Sequence, residues 1–263
     1  MKRAIFIFVV LATSFRFAEA RDYQDAPELG KYFEEMNVVG TFVLFDVAGD
    51  KMIVWNKARA EQRITPASTF KIANSLIGLD VGAVKNVDEV LPYGGKPQWI
   101  KEWERDMGLR EAIKMSNVAI YQELARRIGI ERMRAGVKKL GYGNMEIGNV
   151  VDRFWLDGPL AISAIEQTEF LHRLVKGSLP ITPEAVRAVK EITLLEKTDA
   201  YGLHGKTGWL VGSTSPQIGW WVGWVERNER IFPFALNIDM KSDADAAKRI
   251  PLGRNCLKAL GKL

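Results

Sequence analysis

Cysteine is nearly absent from this chain. Cys256 stands alone among 263 residues, so no internal disulfide can form and core packing must hold the fold together. Histidine is almost as scarce: His172 and His204 lie far apart, with no cysteine cluster beside them, and no metal site is expected. His204 reads as an ordinary strand side chain. Beyond the first twenty residues, no stretch approaches the length that a membrane-spanning helix needs. Nor is there a block of one charge. Arg126, Arg127, Arg132, Arg134, Lys138 and Lys139 are spread along a helical stretch, which marks a solvated face and not a nucleic-acid groove. Repeats, low-complexity tracts and flexible linkers are missing too.

What is present begins with a targeting pattern. Lys2 and Arg3 open it, Ala4 to Leu11 form an apolar run interrupted later by Arg16, and Ala18-Glu19-Ala20 is a small-x-small cleavage site. Residues 1–20 are therefore expected to be a cleaved export signal, leaving no membrane anchor on the mature chain. Their removal lowers the formal charge from +5 to +3, mildly basic and compatible with a small anionic substrate.

The order of elements suggests one sheet built from both ends of the chain. Residues 40–47, a turn at Ala48-Gly49-Asp50, and Met52 to Trp55 read as a hairpin. After Pro66 comes an apolar segment with Phe70, Ile72, Ala73, Leu76, Ile77 and Leu79, which reads as a buried helix. Residues 108–128 and 130–140 read as two helices punctuated by Gly129. Ser163-Ala164-Ile165-Glu166 is a capping box opening a helix to about Lys176, and Thr182-Pro183-Glu184 opens another. Residues 203–211, 217–226 and 231–240 read as strands, and about 243–260 as a closing helix. The expected fold is α/β (α+β), with an antiparallel sheet flanked by helices and a mostly helical lobe beside it. In these terms 21–263 is a single catalytic domain, 21–65 and 197–263 giving the sheet lobe and 66–196 the helical lobe. A cleft between the lobes is the natural place for chemistry.

Ser68-Thr69-Phe70-Lys71 carries the chemical signal. Residues three apart at a helix start share a face, so the lysine amine reaches the serine hydroxyl, a nucleophile with its base. Alone, a Ser-x-x-Lys arises about once by chance in a chain of this length. Its company gives it weight. Ser116-Asn117-Val118, Tyr142-Gly143-Asn144, Phe154-Trp155-Leu156 and Lys206-Thr207-Gly208 follow in order. Chance expectation for a Tyr-Gly-Asn or a Lys-Thr-Gly triplet is well below about one in ten chains. With these motifs, Trp103-Glu104-Arg105-Asp106 and the run from Trp220 to Val225, the sequence resembles the class D serine β-lactamases, the oxacillinases, over essentially its whole mature length. A class A relative would carry Ser-Asp-Asn where this chain has Ser116-Asn117-Val118, and a Glu-x-x-Leu-Asn loop for deacylation, which is not found. Glu166 belongs to its capping box.

The resemblance implies a β-lactam substrate, a β-lactamase/transpeptidase-like fold, a periplasmic location, and a monomer or homodimer that binds no nucleic acid. It also implies roles. Ser68 is the acyl acceptor. Lys71, carbamylated by carbon dioxide or bicarbonate to N6-carboxylysine, is the general base of acylation and deacylation. Burial on an apolar helix lowers an amine's pKa and so makes it able to attack carbon dioxide. Trp155 donates its indole N–H to the carbamate, and Val118 faces that pocket. Ser116 relays a proton to the leaving nitrogen. Lys206, Thr207 and Gly208 on an edge strand, with Arg249, hold the substrate carboxylate; Arg254 competes with Arg249 for that part. The backbone N–H groups of Ser68 and Trp209 form the oxyanion hole, and Trp103 lines the mouth. Loops around Trp103, Trp209 and residues 210–217 are expected to set the substrate spectrum. A penicillin-binding D,D-peptidase or a non-hydrolysing β-lactam sensor shares the nucleophile and Lys-Thr-Gly, but would bind penicillin and stall.

Overall fold

Strand-forming runs from both ends of the chain meet in one seven-stranded sheet in the computed structural model, which describes residues 22–212 and 216–263. The predicted export signal and residues 213–215 of the predicted spectrum loop lie outside the described residues. The strands are β1 (Asp22–Asp25), β2 (Gly40–Asp46), β3 (Lys51–Trp55), β4 (Leu194–Lys197), β5 (Gly202–Leu210), β6 (Gln217–Arg227) and β7 (Arg230–Met240), in the order β1-β3-β2-β7-β6-β5-β4. The predicted hairpin and three C-terminal strands are all there, and β2 pairs antiparallel with β7.

Two strands correct the sequence reading. β1 runs parallel to β3 at one edge, so the sheet is mixed, and β4 starts at Leu194, ahead of the expected return to the sheet at residue 197. Both are four-residue edge strands. Asp22-Tyr23-Gln24-Asp25 shows no apolar alternation to announce it.

Central strands are buried on both faces, and their sequences read as near-continuous apolar runs. In β6, Trp220, Val222 and Trp224 face one core and Trp221 and Val225 the other. The first core lies between sheet and helices. It includes the helix Ala164–Val175, predicted for the helical lobe, whose Phe170, Leu171 and Leu174 share this core with Val43 and Ala235. The second core is covered by the helices Gly30–Glu35 and Arg249–Ala259, and here the one thiol, Cys256, is buried.

One predicted helix is broken. The stretch expected to be helical from 108 to 128 forms two helices, Leu109–Lys114 and Val118–Ile128. Ser116, with φ 60°, sits in the left-handed region, and Asn117 caps the second helix by accepting the Ile120 N–H at 3.2 Å. The kink turns Ser116 toward β5. The closing helix is likewise divided, into a 3₁₀ segment Asp243–Lys248 and the α-helix Arg249–Ala259.

Candidate active site

A 3₁₀ turn, Ala67–Phe70, runs into the helix Lys71–Asp80, whose residues from Lys71 to Gly78 are all buried. Ala67, at the start of the turn, has φ 49°, a strained conformation for an alanine. The turn presents half-buried Ser68 at the surface while Lys71 points into the core. Lys71 Nζ lies 2.8 Å from Ser68 Oγ. Burial first, and the charge of Lys206 second, hold the Lys71 amine well below the ordinary lysine range. The pair is a hydroxyl beside an amine that holds its proton less firmly than an exposed lysine does.

β5 closes the other side. A Cβ at Gly208 would lie 2.9 Å from the Pro66 carbonyl oxygen and 3.0 Å from Thr69 Cγ2, so only glycine lets this strand approach the nucleophile turn. Lys206, also buried, donates from Nζ to Ser116 Oγ at 2.9 Å and to the Thr207 carbonyl at 2.9 Å. Its pKa is pulled down to about 7 by burial and by Arg249. Lys206 and Ser116 thus form a second amine–hydroxyl pair, of which Ser116 lines the cleft and Lys206 does not.

The cleft has a volume of about 530 Å³, and eight of the predicted residues line it: Ser68, Trp103, Ser116, Val118, Thr207, Gly208, Trp209 and Arg249. Arg249 donates to the Gly208 and Ala246 carbonyls at 2.6 and 2.7 Å, which fixes its guanidinium beside β5, and burial lowers its pKa to about 10. Arg254 faces elsewhere, bonded to Glu196 and the Tyr201 hydroxyl. Trp103 is anchored by its indole N–H on the Met115 carbonyl at 3.0 Å.

Lys71 and Trp155 are buried behind the cleft and do not line it. Trp155 stacks on Phe70 with ring centroids 5.5 Å apart, and its indole N–H has no acceptor among the described residues. A buried, unsatisfied donor is costly and asks for a reason. A carbamate on Lys71, an anion that needs a donor in an apolar pocket, fits that orphan N–H and the depressed amine.

Several cleft residues escaped the sequence reading. Trp99 projects over the mouth, 67% exposed, with its ring 5.6 Å from that of Trp209 in an edge contact. Arg153 lines the cleft immediately before Phe154-Trp155-Leu156, and that adjacency was the signal available for it; Leu156, quoted in that motif but given no role, lines the cleft as well. Glu166 is absent from the lining. It forms the predicted capping box with Ser163 and a bidentate pair with Arg63, which overcome the effect of burial and hold it below the usual carboxylate range. A larger hollow, about 690 Å³, lies at the far end of β5 and β6, but its lining contains no serine. There His204 stacks on Trp224 at 4.4 Å, a strand side chain as expected.

Comparison with known proteins bears on this arrangement. Residues 32–258 match the penicillin binding protein transpeptidase domain. β-Lactamase OXA-10 of Pseudomonas aeruginosa is 39% identical over 250 residues, 94% of this chain and 92% of its own length. β-Lactamase OXA-48 of Klebsiella pneumoniae is 38% identical over 252 residues, 96% of this chain and 95% of its own. Among solved structures, the class D β-lactamase FUS-1 (OXA-85) of Fusobacterium nucleatum subsp. polymorphum superposes with a TM-score of 0.88 at 44% identity, covering 91% of this chain and all of its own.

Proposed function

The chain belongs to the class D β-lactamases and is a serine hydrolase of the cyclic amide; from that premise we propose that it opens β-lactam antibiotics through an acyl-enzyme on Ser68, with carbamylated Lys71 as base. The observation that carries the proposal is the 2.8 Å contact between Lys71 and Ser68, with the unpaired Trp155 indole stacked on Phe70, the residue next to Lys71.

Ser68 Oγ attacks the lactam carbonyl as its proton leaves toward the Lys71 side. The backbone N–H groups of Ser68 and Trp209 receive the developing oxyanion. As the C–N bond breaks, Ser116 gives its proton to the departing nitrogen and is resupplied by Lys206, whose pKa near 7 suits a proton donor at neutral pH. Thr207 and Arg249, with the charge of Lys206 behind them, orient the substrate carboxylate. Lys71, Trp155 and Ser68 would hold the carbamate, with Val118 limiting water beside it. When present, that group supplies an anionic base for both acylation and the hydrolysis that frees Ser68. Export through the signal-like residues 1–20, and action in the periplasm, complete the proposal.

The test is initial nitrocefin hydrolysis in degassed buffer, with and without bicarbonate. Wild type should lose turnover on depletion and on acidification, regain it with bicarbonate, and accumulate an adduct on the Ser68 peptide when depleted. Trp155→Ala should need more bicarbonate, because the buried anion loses its donor. Lys71→Ala should not respond. Turnover independent of bicarbonate in wild type and Trp155→Ala, or an adduct on Ser116 or Ser163, would overturn the assignment.

A further inference from the structure

The Tyr142-Gly143-Asn144 motif has no place in the cleft lining. It lies behind the nucleophile, and its hydrogen bonds run in two directions. Tyr142 is fully buried, and burial raises its phenol pKa, keeping the hydroxyl a donor. That hydroxyl donates to Gln167 Oε1 at 3.2 Å. Gln167 Nε2 donates to Thr69 Oγ1 at 2.8 Å, and Thr69 Oγ1 donates to the Pro66 carbonyl at 2.7 Å. The chain of bonds therefore ends on the two residues that bracket strained Ala67 and Ser68.

In the other direction the motif grips the segment that follows Trp155. Asn144 Nδ2 donates to the Pro159 carbonyl at 2.9 Å. Its Oδ1 accepts the Ala161 N–H at 3.1 Å, and its own N–H reaches the Ala161 carbonyl at 2.9 Å. Gly143, at φ 56°, must be glycine, since a Cβ would run into the Ala161 carbonyl oxygen. Between the two grips, Phe70 meets Tyr142, Phe154 and Trp155, with ring centroids 5.4, 5.1 and 5.5 Å away.

We propose that Tyr142-Gly143-Asn144, acting with Gln167, is a positioning element that holds the Ser68–Lys71 turn and the Trp155 segment at a fixed separation and thereby sets how tightly carbon dioxide is retained on Lys71. The inference rests on the carbamate reading above. Its physical basis is the steep dependence of a hydrogen bond on distance and angle. A small drift of either grip moves the Trp155 N–H off the line to a buried anion and weakens that hydrogen bond.

Two variants test it in the full chain. Tyr142→Phe/Gln167→Leu replaces both members of a buried polar pair by apolar groups of similar shape, which limits the cost to folding. Asn144→Ala cuts the second grip alone. Each is equilibrated with ¹³C-bicarbonate, the carbamate signal is read by NMR across a bicarbonate series, and nitrocefin turnover and thermal melts are recorded on the same samples. Folded variants should need about tenfold more bicarbonate than wild type for half occupancy, with kcat recovering at saturation, because these residues position and do not react. If one variant fails to fold, the other decides. A folded variant whose half-occupancy stays within about twofold of wild type would overturn the inference while leaving the carbamate reading intact. Absence of a carbamate signal in wild type would overturn that reading, and this inference with it.

Discussion

Arg249 and Arg254 sit on one helix within five positions of each other, yet their surroundings assign them different work. Arg249 lines the cleft beside Gly208, whereas Arg254 is engaged with Glu196 and Tyr201. Arg249→Ala should raise KM for anionic β-lactams by about tenfold with a smaller loss in kcat, as expected for ground-state binding of a carboxylate. Arg254→Ala should leave both constants near wild type. Steady-state kinetics on a penicillin decide it, and the reverse pattern would show that the carboxylate anchor is misplaced. The family resemblance sufficed to favour Arg249, but nothing in the sequence could reveal that the Trp155 N–H lacks a partner. That property belongs to the packing of Phe70, Phe154 and Trp155 and not to any one of them.

At the scale of elements, the break before the helix Val118–Ile128 shows what hydrophobic periodicity can and cannot report. Leu109, Ile113, Ile120 and Leu124 keep one helical phase across the interruption, so the pattern reads straight through it. The local clue was Ser116-Asn117, a pair suited to a cap. Asn117 does more than cap: while Oδ1 accepts from Ile120, Nδ2 donates to the Trp103 carbonyl at 3.1 Å and ties the cleft mouth to the helix start. Asn117→Ala should therefore cost about 1–2 kcal/mol, a few degrees in the melting temperature. Asn117→Asp should keep the cap but lose the donation to Trp103. Thermal melts of both variants check this, and an unchanged midpoint for Asn117→Ala would show that the cap is dispensable. The short edges β1 and β4 were illegible for a different reason. Four residues at an edge need no alternation, because the rest of the sheet supplies their pairing.

For the whole molecule, two buried amines make stability depend on pH. Lys206 titrates near 7 when folded, and Lys71 is held well below the ordinary range, whereas both return to about 10.4 in the unfolded chain. Above pH 7 the unfolded chain thus binds protons that the folded chain does not, so stability rises with pH. Cys256 opposes this above about 8.5, where the unfolded thiol ionises and the folded one does not. In bicarbonate-free buffer the unfolding free energy from urea titrations should climb from pH 7 to about 8.5, by at most about 1.4 kcal/mol per pH unit for each amine. Lys206→Met should show a shallower climb, and a slope equal to wild type would mean that Lys206 is not neutral when folded. Cys256 has another consequence. Burial pushes its thiol up to about 12, and the thiolate is the species that alkylating and disulfide-forming reagents attack. The native enzyme is therefore chemically silent toward such reagents at neutral pH. A cysteine introduced on the exposed rim at Trp99 would take up a fluorophore or spin label with no background, making the movements of the mouth directly observable.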